Sequence, residues 1–248
     1  MIAALLMGRE GSVGFPGKNL YPVLGRPLME YPLLAACESV LVDRVYITTD
    51  SPRTMEIGER HGAKIIPRPP ELCTPQALGD DVYVHGYHHI RRDLPPGETV
   101  ELVVLLMANA PTVTPALIDE GIGVLRAHPD LDSAVSVSRY NMWSPLRARR
   151  IGNDGLLYPF IPLETFGDPE TLNCDRDSQG DVWFADMGVS VVRPRNLDQI
   201  HHGQLPQRWM GRRIHPLKQW GGLDIDYEWQ IPQAEHWLIQ HGYREGGG

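Results

Sequence analysis

Hydrophobic and polar positions alternate in blocks through the first half of the chain. Ile2–Met7 is a continuous apolar run, the pattern of a strand covered on both faces in a parallel sheet. A glycine-rich stretch, Gly8 to Asn19, follows it. Pro27–Ser39 predicts a helix, with Pro32 kinking it or delaying its start. Val45–Thr49 is a β-branched run ending at Asp50. Ser51 and Pro52 form an N-cap and first-turn pair, so a helix is expected to about His61, stopped by Gly62. Lys64–Ile66 reads as a short strand and Leu78–Arg92 as a helix. Val100–Met107 is the strongest strand signal. Thr114 and Pro115 repeat the cap signature for a helix to about His128, and Ser133–Ser138 is a further strand. This alternation predicts an α/β fold: a three-layer, Rossmann-like arrangement with a mainly parallel mixed sheet between helices.

The pattern breaks from Arg139 to Phe184, which is rich in proline, glycine and aromatic residues and has little periodicity. So long a structureless stretch does not fit a compact domain. It is expected to be an inserted lobe with short strands that covers the active site or pairs with another subunit. Regular structure resumes at Gly188–Val192, followed by a loop over Gly221–Glu228 and a closing helix over Gln233–His241. The chain thus divides into a core, 1–138 and 185–248, and a small lobe, 139–184.

Composition narrows the function. The 248 residues suffice for one large domain with a full core. A formal net charge of -8 disfavours nucleic-acid and membrane-surface partners, while leaving small anionic substrates open to a few local cations. The three cysteines, Cys37, Cys73 and Cys174, are widely spaced and make neither a disulfide framework nor a Cys-x-x-Cys metal site. That fits a reducing cytoplasm. No apolar run approaches the ~20 residues of a membrane span.

The loop Gly8-Arg9-Glu10-Gly11-Ser12-Val13-Gly14-Phe15-Pro16-Gly17-Lys18-Asn19 follows the first strand, at the sheet edge where open α/β folds bind ligands. Glycines let the backbone approach phosphates, and Arg9 and Lys18 add charge at both ends. The spacing matches neither the nucleoside-triphosphatase phosphate loop nor the dinucleotide fingerprint, because no Gly-x-Gly occurs and Asn19 follows the lysine. Late in the chain, Leu223-Asp224-Ile225-Asp226-Tyr227-Glu228 carries two aspartates two residues apart. In an extended segment both face one side and suit a hard cation such as Mg2+. The histidines His85, His88 and His89 lack the glutamate of a His-Glu-x-x-His zinc motif. Trp183, Trp209, Trp220, Trp229 and Trp237 are expected to anchor core or interface.

The opening, Ile2 to Asn19, resembles the acylneuraminate cytidylyltransferase family, which also contains enzymes activating 3-deoxy-octulosonate. The family signature is Ala-Arg-x-x-Ser-Lys-Gly, three residues, then Lys-Asn. Arg9, Ser12, Gly14, Lys18 and Asn19 match it; Gly8 stands for the alanine and Val13 for the first lysine. Asp43–Asp50, Ile66–Leu72 and Leu223–Glu228 continue the resemblance. It implies a nucleotidyltransferase fold of the GT-A-like kind and a CTP-dependent transfer of CMP to an acidic acceptor, a 2-keto-3-deoxy acid sugar, with release of pyrophosphate. It further implies a homodimer with Mg2+ as cofactor. Nucleotide contacts fall on Met7, Gly8, Arg9, Ser12, Lys18, Asn19, Arg68 and Ala77. Arg9, Lys18 and Asp224 are catalytic, and Asp224 and Asp226 hold the metal. Where sialic-acid enzymes read their sugar with a glutamine and an arginine, this chain has Met107 and Val113. Asn109 and Thr112, with Arg176 of the lobe, are the acceptor-binding candidates. Alternatives are a phosphonate or sugar phosphate acceptor, another nucleotide, a glycosyltransferase using a finished nucleotide sugar, or a non-catalytic nucleotide-binding regulator.

Overall fold

A computed structural model describes residues 1–245; the glycine tail Gly246–Gly248, which closes the second core segment of the sequence reading, lies outside the described residues. Eleven strands occur in chain order among them: β1 (Ile2–Met7), β2 (Pro22–Val23), β3 (Arg26–Pro27), β4 (Arg44–Thr49), β5 (Lys64–Pro67), β6 (Leu102–Met107), β7 (Ser133–Arg139), β8 (Arg149–Ile151), β9 (Leu157–Pro159), β10 (Trp183–Val192) and β11 (Ile214–Gln219). The α-helices are α1 (Glu30–Glu38), α2 (Pro52–Arg60), α3 (Gly79–Asp93), α4 (Pro115–Ala127), α5 (Pro194–Asp198) and α6 (Ile231–Gln240). Seven strands form one sheet in the order β11-β7-β10-β6-β1-β4-β5. Only β10 runs antiparallel to its neighbours, β6 and β7.

The continuous apolar run of β1 has its explanation here. Ile2, Ala4 and Leu6 pack with α1, α2 and α4 residues such as Leu33, Ile57 and Ile122. Ala3 and Leu5 point the other way, into a cluster with Tyr83, Tyr87 and Ile90 of α3 and Leu197 of α5. Successive strand side chains thus feed opposite layers, giving the three-layer α/β fold. A third cluster joins α6 to the β2–β3 hairpin through Phe15, Val23, Leu28, Tyr31, Trp237 and Leu238.

Several boundaries differ from the sequence reading. Pro27 pairs with Pro22 in the hairpin, so α1 begins only at Glu30 and Pro32 sits in its first turn. Ser51 precedes α2 without a side-chain cap bond, whereas Thr114 caps α4 by accepting from the Leu117 N–H at 3.2 Å. Strand β11 is not anticipated in the sequence; it lies at the sheet edge and buries only Leu217 fully. Between Arg139 and Trp183, β8 and β9 make an antiparallel hairpin among 3-10 turns, with Ile151, Leu157 and Phe160 exposed. Among the described residues no helix is long and apolar enough to cross a membrane.

β1 pairs with β4 on one side and β6 on the other. The chain reverses its direction of strand addition there, and the carboxyl ends of β1 and β6 open a crevice. Open α/β sheets bind ligands at such switch points.

Candidate functional site

The loop after β1 is pinned at both ends. The Gly8 N–H donates to the Thr48 carbonyl at 3.2 Å. A Cβ on Gly8 would stand 2.7 Å from the Ala108 Cβ, so only glycine lets β1 and β6 leave the sheet side by side. Asn19 Nδ2 donates to the Arg9 carbonyl at 3.0 Å and ties the two ends of the loop together. Phe15 is buried in the α6 cluster and contacts the Tyr21 ring edge-on at 5.0 Å. Gly17 takes a left-handed φ of 74° and starts the 3-10 turn Lys18–Leu20. This backbone turns Lys18 inward, leaving its side chain 13% exposed.

The eight residues assigned to the nucleotide, from Met7 to Ala77, line one cleft of about 190 Å3. Leu72, Gly79, Val82, Met107 and Asn109 complete its walls. Arg68, placed after β5, is buried; its Nη2 donates to the Thr48 carbonyl at 2.7 Å while its Nε has no protein acceptor. Burial pushes the Arg68 guanidinium below its usual range, with no carboxylate bonded to it. Arg9 Nη1 donates to the Cys73 carbonyl at 3.2 Å. The cleft therefore holds three cations with no acidic residue in its lining.

The aspartate loop meets this cleft. Lys18 Nζ lies 2.6 Å from Asp226 Oδ1. Burial, and then the charge of Asp226, raise the Asp224 carboxyl above the usual carboxylate range. Among the described residues no group of three or more His, Cys, Asp or Glu side chains gathers for a metal. The two carboxylates still fit a magnesium ion. Such an ion takes one or two carboxylates, the rest of its shell being phosphate and water, and it would relieve the like-charge cost at Asp224.

Asn109 and Thr112 serve this loop. Asn109 Nδ2 donates to the Ile225 carbonyl at 3.0 Å and lies 3.3 Å from Asp224 Oδ2, and the Ile225 N–H donates to the Asn109 carbonyl at 2.8 Å. Thr112 corrects the sequence reading. It is fully buried, and its hydroxyl donates to the Leu223 carbonyl at 3.1 Å and accepts the Leu223 N–H at 2.9 Å, so it is closed to an acceptor. Arg176 is not brought to the cleft either; it is exposed and paired with Asp177 at 2.8 Å.

A second cavity, of about 740 Å3, lies across Asp224 and escaped the sequence reading. Tyr140, Trp143, Phe184, Trp220 and Trp229 give it aromatic walls, and Gln230, Gln233 and His236 add polar groups. Its residues come from four separate stretches of chain, so no local motif announces it. Trp220 and Trp229 are half-exposed or more there, whereas Trp209 and Trp237 are core residues.

A family model described as cytidylyltransferase matches residues 3–78. The N-acylneuraminate cytidylyltransferase of Escherichia coli O18:K1:H7 is 30% identical over 140 residues, 56% of this chain and 32% of that protein. N-acylneuraminate cytidylyltransferase A of Danio rerio is 28% identical over 245 residues, 98% of this chain and 52% of that protein. The chain thus spans about half or less of the length of these curated relatives. A solved CMP:2-keto-3-deoxy-manno-octonic acid synthetase in complex with CTP superimposes with a TM-score of 0.67 at 16% identity, covering 97% of this chain and 99% of that one. That likeness shows a shared α/β fold.

Proposed function

We propose that this chain, which belongs to the cytidylyltransferase family, transfers CMP from CTP to a sugar acid and releases pyrophosphate. The observation that carries the reading is the cleft itself. Arg9 and Lys18, from the two ends of the loop after β1, converge on it with Arg68 from after β5, and the buried Arg68 Nε lacks a partner. A buried donor without an acceptor is costly unless a ligand supplies one.

In this reading, the glycine-rich loop lets its backbone approach the phosphates, and Arg9 and Lys18 neutralise their charge. Asp224 and Asp226 would hold Mg2+, which would screen the phosphoryl oxygens. The acceptor hydroxyl oxygen forms a bond to the α-phosphorus as the bond to the pyrophosphate oxygen breaks. The hydroxyl proton passes to solvent. The acceptor sits in the aromatic-walled cavity, where Trp220 and Trp229 offer apolar faces to a sugar ring. Asp224 stands between the two spaces. The exposed apolar residues of the 139–184 lobe are covered by a second copy of the chain, making a homodimer.

Pyrophosphate release from the four nucleoside triphosphates against a panel of sugar acids tests this. CTP with a divalent cation and one of the sugar acids is expected to react. N-acetylneuraminate is expected to be a poor acceptor, because Met107 and the buried Val113 cannot replace a glutamine and an arginine. Absence of pyrophosphate with every acceptor, from protein that binds CTP, overturns the reading.

A further inference from the structure

Strand β10 carries an irregularity beside the site. Its register against β7 shifts between Ala185 and Ser190, and Met187 in that interval has a φ of 62°. The bulge turns Asp186 inward, where it is only 4% exposed. A carboxylate buried this deeply must be satisfied by hydrogen bonds. Oδ1 accepts the Ser136 hydroxyl and the Gly188 N–H, the latter at 3.2 Å. Oδ2 accepts the Ser138 hydroxyl at 2.7 Å and Gln219 Nε2 at 2.9 Å. No lysine or arginine is among these partners.

Two of the four bonds run on to the aspartate loop. A carboxylate only accepts, so the Ser138 proton is committed to Asp186 and the Ser138 oxygen is left to accept the Gly222 N–H, at 2.9 Å. Gln219 Nε2 also reaches the Thr112 carbonyl at 3.0 Å, and the Thr112 hydroxyl grips Leu223. Gly222 and Leu223 immediately precede Asp224. A Cβ on Gly222 would collide with Asp186 Oδ2, so the loop lies directly against this carboxylate.

We propose that Asp186 is a positioning residue that fixes, through Ser138 and Gln219, where the aspartate loop presents Asp224. Asp186 reaches the wall of the aromatic cavity, but both its carboxylate oxygens are taken up by protein donors. The inference rests on the reading of Asp224 and Asp226 as cation ligands. Supporting groups behind metal ligands commonly matter ~10–100-fold in metal affinity.

The test uses the full chain with Asp186→Asn and Ser138→Ala. Asparagine turns an NH2 toward groups that are themselves donors, and alanine at 138 removes only the link to Gly222. Mn2+ uptake in the presence of CTP is followed by electron paramagnetic resonance. CTP binding is measured separately in chelator, beside thermal melts. The expected result is a ~10–100-fold weaker Mn2+ uptake in Asp186→Asn and a smaller loss in Ser138→Ala, with CTP affinity in chelator unchanged. If Asp186→Asn does not fold, Ser138→Ala alone decides. Variants that melt earlier yet take up Mn2+ as the wild type does overturn the inference by itself. A wild type that takes up no Mn2+ sinks the cation reading, and this inference with it.

Discussion

The surroundings of Asp224 disfavour its charged form. Burial and the neighbouring Asp226 both raise its pKa, and Lys18 only partly offsets them. A folded-state pKa above the unfolded one means stability that is present at low pH and lost as pH rises through the folded value. Without metal, ionising Asp224 as pH rises therefore costs the fold stability. Asp224→Asn is expected to raise the melting temperature in chelator at pH 7 to 8, with the gain shrinking toward pH 4, while turnover falls by ~10²–10³. Melts across that range, paired with pyrophosphate assays, check both halves; a variant that melts lower at pH 8 contradicts the sign. The gathering of the nucleotide candidates was legible through the family resemblance, since all eight line one cleft. The role of Thr112 was not. Its partners belong to Leu223, 111 positions away, and no local pattern distinguishes a hydroxyl facing a ligand from one facing a distant backbone.

At the scale of elements, the loop after β1 works because two strand ends stay close. Gly8→Ala adds a methyl 2.7 Å from the Ala108 Cβ and must push β1 and β6 apart. Overpacking of this kind costs about 1–3 kcal/mol. The expected result is lower stability in urea together with CTP binding weakened ~10-fold, since 1.4 kcal/mol lost from positioning is tenfold in affinity. Titration calorimetry beside urea melts measures it, and wild-type affinity in a destabilised variant refutes the link. Elements were legible where burial was symmetrical: β1 and β6 are apolar runs, and β4 a β-branched one, because helices cover both faces. The reading failed where structure departs from period. β11 is an edge strand bearing His215, Pro216 and Lys218, with a proline that only an edge or bulge tolerates. The front half of β10 hides behind its bulge at Asp186 to Gly188.

At the scale of the whole molecule, the 139–184 lobe exposes Ile151 at 74%, Leu157 at 70% and Phe160 at 63%, more apolar surface than its small hairpin can cover. Ile151→Asp with Leu157→Asp is expected to turn a dimer into a monomer in sedimentation velocity, with the helical circular dichroism signal unchanged. A monomeric wild type, or a variant that stays dimeric, rules this interface out. The core is assembled over comparable distances. Lys18 and Asp226 stand 208 positions apart in sequence, and Asn109 closes on Ile225. During synthesis the amino-terminal part of a chain emerges and folds first. The cations of the cleft are therefore made long before the acids that complete it. A nascent or clipped chain ending before Gly221 would carry the glycine-rich loop and Arg68 without Asp224 or Asp226. Such a chain would also lack α6, whose cluster buries Phe15 of the loop; under the proposed function, completion of the polypeptide is therefore a precondition both for fixing that loop and for consuming CTP.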